Sequence, residues 1–333
     1  MMEKILSISI AAYNAGKFIE ECLDSVLEEK ILDDLEVLIV NDGSTDNTRE
    51  LVQPYVEKYP GTFRMIDKEN GGWGSTVNVG MRQATGKYFK LLDADDWFYT
   101  ENLVEYIDFL KKVDCDLVLT PYGKYDEDIK KVYSVYKYDL NQETVYDLDD
   151  MADKIAFQMY AMTAKMSVIR ENMIDILDHC FYTDVQFVLE LCDRCKTMQY
   201  KDVLVYKYRV GRGGQSCSRE GYIKHHEDHR RVTEYLMKYY HEHDLSEPKK
   251  RAWESRVRDM TGAQYLIYSY IKDDKRVERM KEWDERLKQE PQFYDVISKE
   301  ARMIRNNNYK NIDLIDSCFE FMRKFARKFG VDL

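Results

Sequence analysis

Short apolar runs alternate with longer stretches in which apolar residues recur every three or four positions along the first hundred residues. Runs of the first kind predict buried strands, and stretches of the second kind predict amphipathic helices. The predicted strands cover residues 5–13, 35–41, 62–67 and 87–94. The predicted helices cover residues 16–29, 75–85 and 99–112, with one more inside 42–59. This order needs crossover connections, so we expect a Rossmann-like α/β fold, with a mostly parallel sheet and helices on both faces.

Tyrosine becomes frequent after residue 115, and the pattern changes with it. Residues 115–128 and 130–140 predict two antiparallel strands around a turn. Residues 150–200 mix short helical and strand signals, and residues 201–210 predict another strand that ends in a glycine-rich stretch. The sheet is therefore expected to gain a second, tyrosine-rich part.

Helical periodicity and charge dominate from about residue 222 to the C-terminus. The chain has only five prolines and no Pro/Gly-rich tract, so the change near 215–221 is a change of structural type and not a flexible joint. The sequence predicts an α/β domain over residues 1–218 and a C-terminal helical region over residues 219–333.

Composition limits the classes of function. With 333 residues, 44% of them hydrophobic, the chain can build a sizeable core, and its net charge of −11 disfavours nucleic acid as a partner. Seven cysteines, an odd number, indicate reduced thiols, and Cys192 and Cys195 suit a buried helix face better than a metal. The N-terminal apolar run is too short for a signal peptide, and no stretch is long enough to span a bilayer. These features predict a soluble, cytoplasmic protein.

Three aspartates follow the fourth predicted strand in "KYFKLLDADDWF", at Asp93, Asp95 and Asp96. Ligands of parallel sheets bind beyond the carboxyl ends of strands, and Asp42 follows the second strand in the same way. One aspartate can cap the next helix, but three exceed that need. Because Mg²⁺ commonly takes one or two protein carboxylates together with substrate phosphates, Asp93 and Asp95 are predicted metal ligands. A nucleotide or diphosphate substrate is the corresponding expectation.

Three segments occur in order: "SISIAAYNAGKFIEECLDSVL", "LEVLIVNDGSTDNT" and "KENGGWGSTVNVGMRQATGKYFKLLDADDW". Together they resemble the family 2 glycosyltransferases, which have the GT-A fold. The resemblance implies a nucleotide-diphosphate-sugar donor (a UDP-sugar is favoured), Mg²⁺ or Mn²⁺ as cofactor, and transfer with inversion at the anomeric carbon. It also implies a donor-binding half over residues 1–115 and an acceptor and catalytic half over 116–218.

Site residues follow from the same resemblance. Tyr13 and Asp42 match residues that receive the nucleoside, Asn78 matches a residue near the donor's sugar, and Asp93 and Asp95 match the Asp-x-Asp motif. The full donor-binding set that it implies is Ala11, Tyr13, Asn14, Asp42, Asn70, Gly72, Asn78, Asp93, Ala94, Asp95, Arg212 and Gln215. This chain departs from the family where proline is usual, at Ala11, and where arginine is common, at Val77.

A catalytic base is expected in "CFYTDVQFVLEL", where Asp184 resembles the acidic residue of the family's base motif. The alternative is that Asp184 is only a favourable charge at a helix start. In "YRVGRGGQSCSREGY", Arg209, Arg212 and Arg219 are candidates to hold the leaving diphosphate, or the segment is an ordinary surface turn. The resemblance adds Gln215 to Arg212 as a substrate contact. Whether a histidine within 225–229 joins the metal site is left open.

We therefore expect an inverting glycosyltransferase of bacterial cell-surface polysaccharide type, acting on a glycan or lipid-linked acceptor. A dinucleotide-binding dehydrogenase is disfavoured, because the first strand is followed by "AAYNAG" and not by G-x-G-x-x-G. The alternative from another class is a non-catalytic subunit that binds nucleotide or glycan with the same fold. Residues 316–333 form a basic amphipathic pattern that either docks on preceding helices or makes a peripheral contact with the inner face of the plasma membrane. A homo-oligomer formed through this tail also stays open.

Overall fold

The structure, a computed structural model, describes residues 4–211, 215–294 and 298–319. The chain divides into two compact units, Met1–Gly213 and Gly214–Leu333. In the described residues the first unit is α/β and the second is built from helices. The fold class predicted from the sequence is confirmed, whereas the roles given to residues 1–115, 116–218 and 219–333 stay predictions.

The first unit contains two sheets and their connecting helices. Its strands are β1 (Leu6–Ala12), β2 (Leu35–Asn41), β3 (Phe63–Asp67), β4 (Tyr88–Asp93), β5 (Trp97–Phe98), β6 (Leu117–Leu119), β7 (Tyr122–Asp126), β8 (Lys131–Tyr136), β9 (Val145–Asp147), β10 (Met162–Lys165), β11 (Thr197–Tyr200) and β12 (Tyr206–Val210). Its helices are α1 (Ile19–Asp24), α2 (Thr48–Lys58), α3 (Gly72–Gln83), α4 (Thr100–Lys112), α5 (Leu148–Met151), α6 (Met166–Glu171) and α7 (Asp184–Arg194).

The larger sheet has eight strands in the order β3-β2-β1-β4-β10-β6-β11-β9. Strands β3, β2, β1 and β4 are parallel, and β10 enters antiparallel beside β4. Both faces of β1 are covered, since Leu6, Ile8 and Ile10 are fully buried and so are Ser7 and Ser9 on the other face. This burial explains why the strand is a continuous apolar and small-residue run in the sequence. The carboxyl ends of β1, β2 and β4 therefore meet at one edge of the sheet.

The smaller sheet has the order β5-β12-β7-β8. Strands β7 and β8 are antiparallel, as predicted for the tyrosine-rich hairpin. The strand predicted over 115–128 is divided, however: Leu117–Leu119 form β6 of the larger sheet, and only Tyr122–Asp126 belong to the hairpin. Strand β12 joins β7 in parallel and pairs with the short strand β5, which directly follows the three aspartates. The smaller sheet therefore contains, as β5, the residues that directly follow the acidic cluster.

Two predicted elements are shorter than the sequence suggests. The helix expected over 16–29 ends at Asp24, where the Ser25 hydroxyl donates to the Cys22 carbonyl at 2.6 Å and accepts from the Phe98 amide at 3.0 Å. The strand expected over 201–210 begins only at Tyr206, because the chain bends earlier through a bond from Val203 N to the Lys201 carbonyl. In the first case a contact with a distant segment accompanies the end of the element, and in the second the bend is local.

The second unit is helical in its described residues. Its helices are α8 (Arg219–Lys224), α9 (His226–Glu242), α10 (Glu247–Tyr270), α11 (Arg276–Leu287), α12 (Pro291–Tyr294) and α13 (Lys299–Asn306), and residues 312–319 are also helical. Most of the predicted amphipathic tail over 316–333 lies outside the described residues. No helix in the described parts of the chain combines the length and the hydropathy that a transmembrane span requires.

A lysine lies in the middle of the core strand β4. The side chain of Lys90 is buried, and Nζ donates to the carbonyl oxygens of Tyr160 at 2.9 Å and Met162 at 3.1 Å. Burial lowers the pKa of Lys90 to about 7. An unfolded lysine keeps its proton to about pH 10.4. Between those values the unfolded chain binds more protons than the folded chain, so the free energy of unfolding rises with pH across this window.

Replacing Lys90 by methionine should remove this pH dependence. From about pH 7 to about pH 9, the free energy of unfolding of the unchanged protein should rise with pH more steeply than that of Lys90→Met. We expect the difference between the two slopes to be up to about 1.4 kcal/mol per pH unit. Urea unfolding at several pH values measures the difference. Lys112→Met, at an exposed position of α4, is the matched control and should keep the slope. Equal slopes in the unchanged protein and in Lys90→Met would contradict the prediction.

Candidate active site

The acidic cluster forms where β4 ends and the chain turns into β5. A bond from Asp96 N to the Asp93 carbonyl, 3.0 Å long, closes this turn. One carboxylate oxygen from each of Asp93, Asp95 and Asp96 lies within 4.8 Å of the others. The structure thus brings the predicted metal ligands Asp93 and Asp95 together, with Ala94 between them.

The three carboxylates have different surroundings. Asp96 is buried, and its two oxygens accept from the Tyr206 hydroxyl and from Arg209 N, both at 2.7 Å. Burial, reinforced by the charges of Asp95 and Asp93, raises the pKa of Asp96 well above its usual value. The Asp93 carboxylate accepts from the Trp73 indole at 2.8 Å. Asp96 therefore anchors the turn.

The donor set fits a hard divalent cation. Asp93 and Asp95 are less buried than Asp96, and carboxylate oxygens are ligands that Mg²⁺ and Mn²⁺ accept. The alternative use of the cluster, a cap on α4, is wrong: the residue before that helix is Tyr99, and its side chain makes no capping bond.

A buried arginine, Arg209, stabilises the aspartate turn (residues 93–96). The guanidinium of Arg209 donates to the Asp95 carbonyl at 2.7 Å and forms ion pairs with Glu21 and Glu127. It also lies 4.3 Å from the centre of the Trp97 ring. Burial opposes the charge of Arg209, but the two glutamates outweigh it and raise the pKa of this side chain. The sequence suggested Arg209 as a phosphate ligand, whereas its contacts join α1, the β7–β8 turn and the aspartate turn.

Arg209→Met is expected to lower the free energy of unfolding by about 2 kcal/mol. Methionine can keep the packing against Trp97, but two carboxylates and a backbone carbonyl lose their charged donor. The cost stays below that of a fully buried pair, because Glu21 and Glu127 are partly exposed to water. Chemical denaturation measures the change, with Arg64→Met at an exposed position as the control. A loss no larger than that of the control would contradict the proposed support.

Asp42 lies at the end of β2 and holds the glycine-rich loop before α3. Its carboxylate accepts from Lys68 Nζ at 2.6 Å, from Gly71 N at 2.9 Å and from Gly72 N at 2.8 Å, and Asn70 adds a bond of 3.1 Å. Gly72 has φ +83°, a conformation that disfavours other residues. Asp42, Asn70 and Gly72, all predicted from the sequence, therefore form one local structure.

These contacts bear on the predicted nucleoside role of Asp42. A carboxylate offers about four lone-pair sites, and the loop uses both oxygens. A nucleoside N–H group would have to share an oxygen or displace a donor, and Lys68 is the one donor among them with a long flexible side chain. Nothing in the sequence singled out Lys68, because a lysine after a strand is common. The base contact of Asp42 stays a prediction.

Asn78 fixes the loop that precedes the predicted base. Its amide donates to the Ile176 carbonyl at 2.8 Å and accepts from Ile176 N at 2.8 Å. Gln186, buried on α7, donates to the Asp175 carbonyl at 3.0 Å and accepts from Leu177 N at 3.1 Å. The predicted contact of Asn78 with the donor's sugar stays untested, and the structure shows the amide bound to this loop.

The glycine-rich loop (residues 68–72) packs against the loop of residues 172–183, which leads to the predicted base and is called the base loop. His179 N donates to the Gly71 carbonyl at 2.5 Å. A Cβ atom on Gly74 would overlap with the Leu177 carbonyl, so glycine is needed there for close approach. The loop leads into α7, whose first residue is Asp184. Both loops therefore belong to the same side of the fold as the sheet's carboxyl edge.

Tyr160 lies near both the predicted base, Asp184, and the acidic cluster. Burial raises the pKa of the Tyr160 hydroxyl, and nearby Tyr208 and the charges of Asp93, Asp96 and Asp184 add to the effect. Asp184 and the aspartate turn thus act on one side chain from the same neighbourhood. Sequence reasoning missed Tyr160, because it lies in a segment with no clear period.

The remaining predicted residues lie in several places. Tyr13 is 54% exposed just beyond β1, and Ala11 pairs with Asp93 in the sheet. The Asn14 side chain accepts from Thr45 N at 2.8 Å, which ties the ends of β1 and β2 together. Arg212 lies outside the described residues, and Gln215 belongs to the second unit.

In the second unit, the histidines considered for the metal site have partners of their own. His225 Nδ1 lies 3.2 Å from Asp228, and His226 Nδ1 lies 3.0 Å from the Ile223 carbonyl. Buried His229 bonds to Gln264 at 2.6 Å, and burial lowers its pKa to about 4. The contacts of His229 are those of a neutral core residue, while a metal role for His225 or His226 stays a prediction.

Comparison with known proteins matches the first unit to one family. The family model described as "Glycosyl transferase family 2" matches residues 7–186. The chain is 29% identical over 219 residues to the poly(ribitol-phosphate) beta-glucosyltransferase of Bacillus spizizenii, an alignment that covers 64% of this chain and 33% of that protein. Other curated glycosyltransferases align over 32% and 45% of their length, so the chain spans less than half of these relatives.

Two solved structures share the fold. Residues 1–349 of S. aureus TarS, in complex with UDP-GlcNAc, align with a TM-score of 0.67 at 17% identity, over 95% of this chain and 91% of that chain. The mannosyltransferase PcManGT from Pyrobaculum calidifontis, in complex with GDP-Man and Mn²⁺, aligns with a TM-score of 0.56 at 15% identity, over 95% and 84%. At these identities the likeness concerns the fold alone.

Proposed function

The chain belongs to glycosyl transferase family 2, and from that premise we propose that it transfers a sugar, with inversion, from a nucleotide diphosphate sugar to an acceptor hydroxyl. The observation that carries the proposal is the carboxylate cluster of Asp93, Asp95 and Asp96 at the carboxyl edge of the parallel sheet. Substrates of such sheets bind at this edge.

Asp93 and Asp95 are the residues proposed to hold Mg²⁺ or Mn²⁺. A metal held there would supply positive charge to the diphosphate, on which negative charge develops as it leaves the sugar. Asp96, with its oxygens bound to Tyr206 and Arg209, keeps the turn in place and so positions the other two carboxylates. Arg212 and Gln215 are proposed to assist the diphosphate.

Asp184 is proposed to act as the general base. It accepts the proton of the acceptor hydroxyl while the oxygen attacks the anomeric carbon from the side opposite the departing nucleoside diphosphate, which inverts the configuration. The position supports this role, because Asp184 starts a helix at the end of a loop that Asn78 and Gln186 hold rigidly. A base needs this fixed geometry as much as a suitable pKa.

The donor is proposed to be a UDP-sugar, with Tyr13 and the Asp42 loop receiving the nucleoside. The complex of TarS with UDP-GlcNAc supports uracil as the nucleobase of the donor, and the complex of PcManGT with GDP-Man makes GDP the alternative to test. The glucosyltransferase relative that acts on poly(ribitol-phosphate) supports a polymeric cell-surface acceptor. Peripheral contact with the membrane through residues 316–333 is part of the same proposal.

Calorimetric titration of UDP and GDP, each with Mn²⁺ and with excess EDTA, tests the proposal. We expect one nucleotide to bind, and to bind far more weakly once the metal is chelated. Incubation with the matching nucleotide sugars should then release the nucleotide, with water taking the sugar where no other acceptor is supplied. Metal-dependent binding without any turnover would favour the non-catalytic subunit, and no binding of either nucleotide would contradict the proposed donor site.

A further inference from the structure

Trp73 joins the glycine-rich loop to the aspartate turn. It is the second residue of α3, and its indole N–H donates to Oδ1 of Asp93 at 2.8 Å. Asp93 ends β4, whereas the loop before Trp73 follows β3 and is bound to Asp42 at the end of β2. One side chain therefore connects the predicted nucleoside side of the site with the predicted metal side.

The backbone on both sides of Trp73 is held in place. Gly72 N donates to Asp42 at 2.8 Å, and Gly72 has φ +83°. Gly74 packs so closely on the base loop that a Cβ atom there would overlap with the Leu177 carbonyl. The indole of Trp73 thus extends from a backbone position that two other segments fix.

The backbone of Asp93 is also held. Its N–H donates to the Tyr206 hydroxyl at 3.2 Å, and its carbonyl accepts from Asp96 N at 3.0 Å. These bonds do not determine how the carboxylate is rotated about its side-chain bonds, whereas a directional hydrogen bond to Oδ1 does. A carboxylate offers about four lone-pair sites, so one indole N–H orients the group without filling it. The contact is therefore compatible with a metal ion on the same carboxylate.

We propose that Trp73 is a positioning residue for the metal site: its indole N–H holds the Asp93 carboxylate in the orientation in which Asp93 and Asp95 bind one divalent cation. The inference rests on the proposed function, which gives these two carboxylates to the metal. Groups that hydrogen-bond to a metal ligand fix its geometry, and their loss typically costs about 10- to 100-fold in metal affinity. Because Trp73 acts through Asp93, its loss should weaken binding of the metal itself, even without nucleotide.

Two substitutions separate the indole N–H from the indole ring. Trp73→Phe keeps an aromatic ring but removes the donor. Trp73→Gln removes the ring, but the amide nitrogen lies as many bonds from Cα as Nε1 of tryptophan, so a neutral N–H group can still reach Asp93. Trp253→Phe is the control, because the Trp253 indole donates to a backbone carbonyl, that of Leu236 at 3.0 Å. It loses the same kind of donor without touching a carboxylate of the cluster.

The experiment is titration of the full chain with Mn²⁺ alone, with free Mn²⁺ counted by electron paramagnetic resonance, and then with Mn²⁺ in the presence of UDP or GDP. Binding that persists in Asp95→Ala is subtracted as background from other acidic groups. We expect Trp73→Phe to raise the Kd for Mn²⁺ about 10- to 100-fold, Trp73→Gln to raise it less, and Trp253→Phe to leave it unchanged.

Three results would overturn the proposal. The first is an unchanged Kd for Mn²⁺ in Trp73→Phe, and the second is a loss in Trp73→Gln at least as large as that in Trp73→Phe. The third is no Mn²⁺ binding above background in the unchanged protein, with or without nucleotide. Thermal unfolding shows whether each variant is folded.

A second measurement applies if Trp73→Phe does not fold. Mn²⁺ is then added to the unchanged protein labelled with ¹⁵N-tryptophan. The indole N–H signal of Trp73, assigned with Trp73→Gln, should disappear, because a paramagnetic ion on Asp93 lies next to it. A signal that Mn²⁺ leaves unaffected would overturn the proposal.

The nucleotide arms separate this inference from the proposed function. Mn²⁺ binding that depends on Trp73, without binding of UDP or GDP, would support the positioning role and contradict the proposed function. Nucleotide binding that needs Mn²⁺ equally in the unchanged protein and in Trp73→Phe would leave the proposed function intact and overturn the positioning role alone.

Discussion

Asp184→Asn is expected to lower sugar transfer by about 10²- to 10⁴-fold, the usual contribution of a general base. Asparagine keeps the shape of the side chain but cannot take the proton of the acceptor hydroxyl. The loss of one acidic charge at the start of α7 removes a favourable interaction with the helix dipole of about 0.3–1 kcal/mol, and chemical denaturation checks that the variant is folded. Release of nucleotide from the donor that the titration identifies measures the rate.

Asp175→Asn is the matched control for this change. Asp175 lies in the same loop, its carboxylate is exposed, and it pairs with Arg82 at 2.9 Å on the surface. Such pairs contribute little, so the control should keep nearly full activity. Metal-dependent nucleotide binding should be unchanged in both variants. Full turnover in Asp184→Asn would contradict the assignment of the base.

The parallel part of the fold could be predicted because β2, β1 and β4 are buried on both faces. Strand β2 occupies residues 35–41, as the apolar run "LEVLIVN" indicated. Burial on both faces makes a strand continuous in hydrophobicity, and that signal is local. The acidic cluster could be found for the same reason, because its place at a strand end is visible in the sequence.

The end of the first predicted helix could not be derived from the local pattern, because a distant contact lies there. Helix α1 stops where Ser25 meets the backbone of Phe98, more than seventy residues away. The role of Arg209 depends on Glu21 and Glu127, which lie far from it in the sequence. A sequence pattern reports periodicity over one or two turns, so it carries no information about such pairs.

The same limit applies within the candidate site. Asp42 was identified from the strand before it, but its donors come from the segment 68–72 after the next strand. Asn78 was identified from a family motif, yet its observed bonds go to Ile176, almost a hundred residues later. Chemistry-bearing residues could thus be named from the sequence, while the buried polar contacts that hold them needed the structure.

Those contacts suggest how the site is kept in shape. The glycine-rich loop is bound to Asp42, the base loop to Asn78 and Gln186, and the aspartate turn to Tyr206 and Arg209. Hydrogen bonds to buried polar groups therefore hold each of the three segments, and each segment contains or binds a candidate functional residue. Anchors of this kind limit the motion of the groups that must meet the substrate.

Asp95→Ala should weaken metal-dependent nucleotide binding by at least about 100-fold. Changes to residues that merely orient a metal ligand already cost 10- to 100-fold, and Asp95 is proposed as a direct ligand. The backbone carbonyl of Asp95, which accepts from Arg209, is still present in the variant. Calorimetry with UDP or GDP and Mn²⁺ measures the loss, with Asp108→Ala on the exposed face of α4 as the control.

The stability of Asp95→Ala separates loss of a ligand from loss of the fold. Burial first, and then the charge of Asp95, raises the pKa of Asp96, so removing that charge should lower it again. A buried carboxyl with a raised pKa loses stability as pH rises through its folded value, and the variant should lose less. We therefore expect Asp95→Ala without metal to be at least as stable as the unchanged protein at neutral pH, and Mn²⁺ to raise the Tm of the unchanged protein only. A variant that Mn²⁺ still stabilises as much as the unchanged protein would contradict the role of Asp95 as a metal ligand.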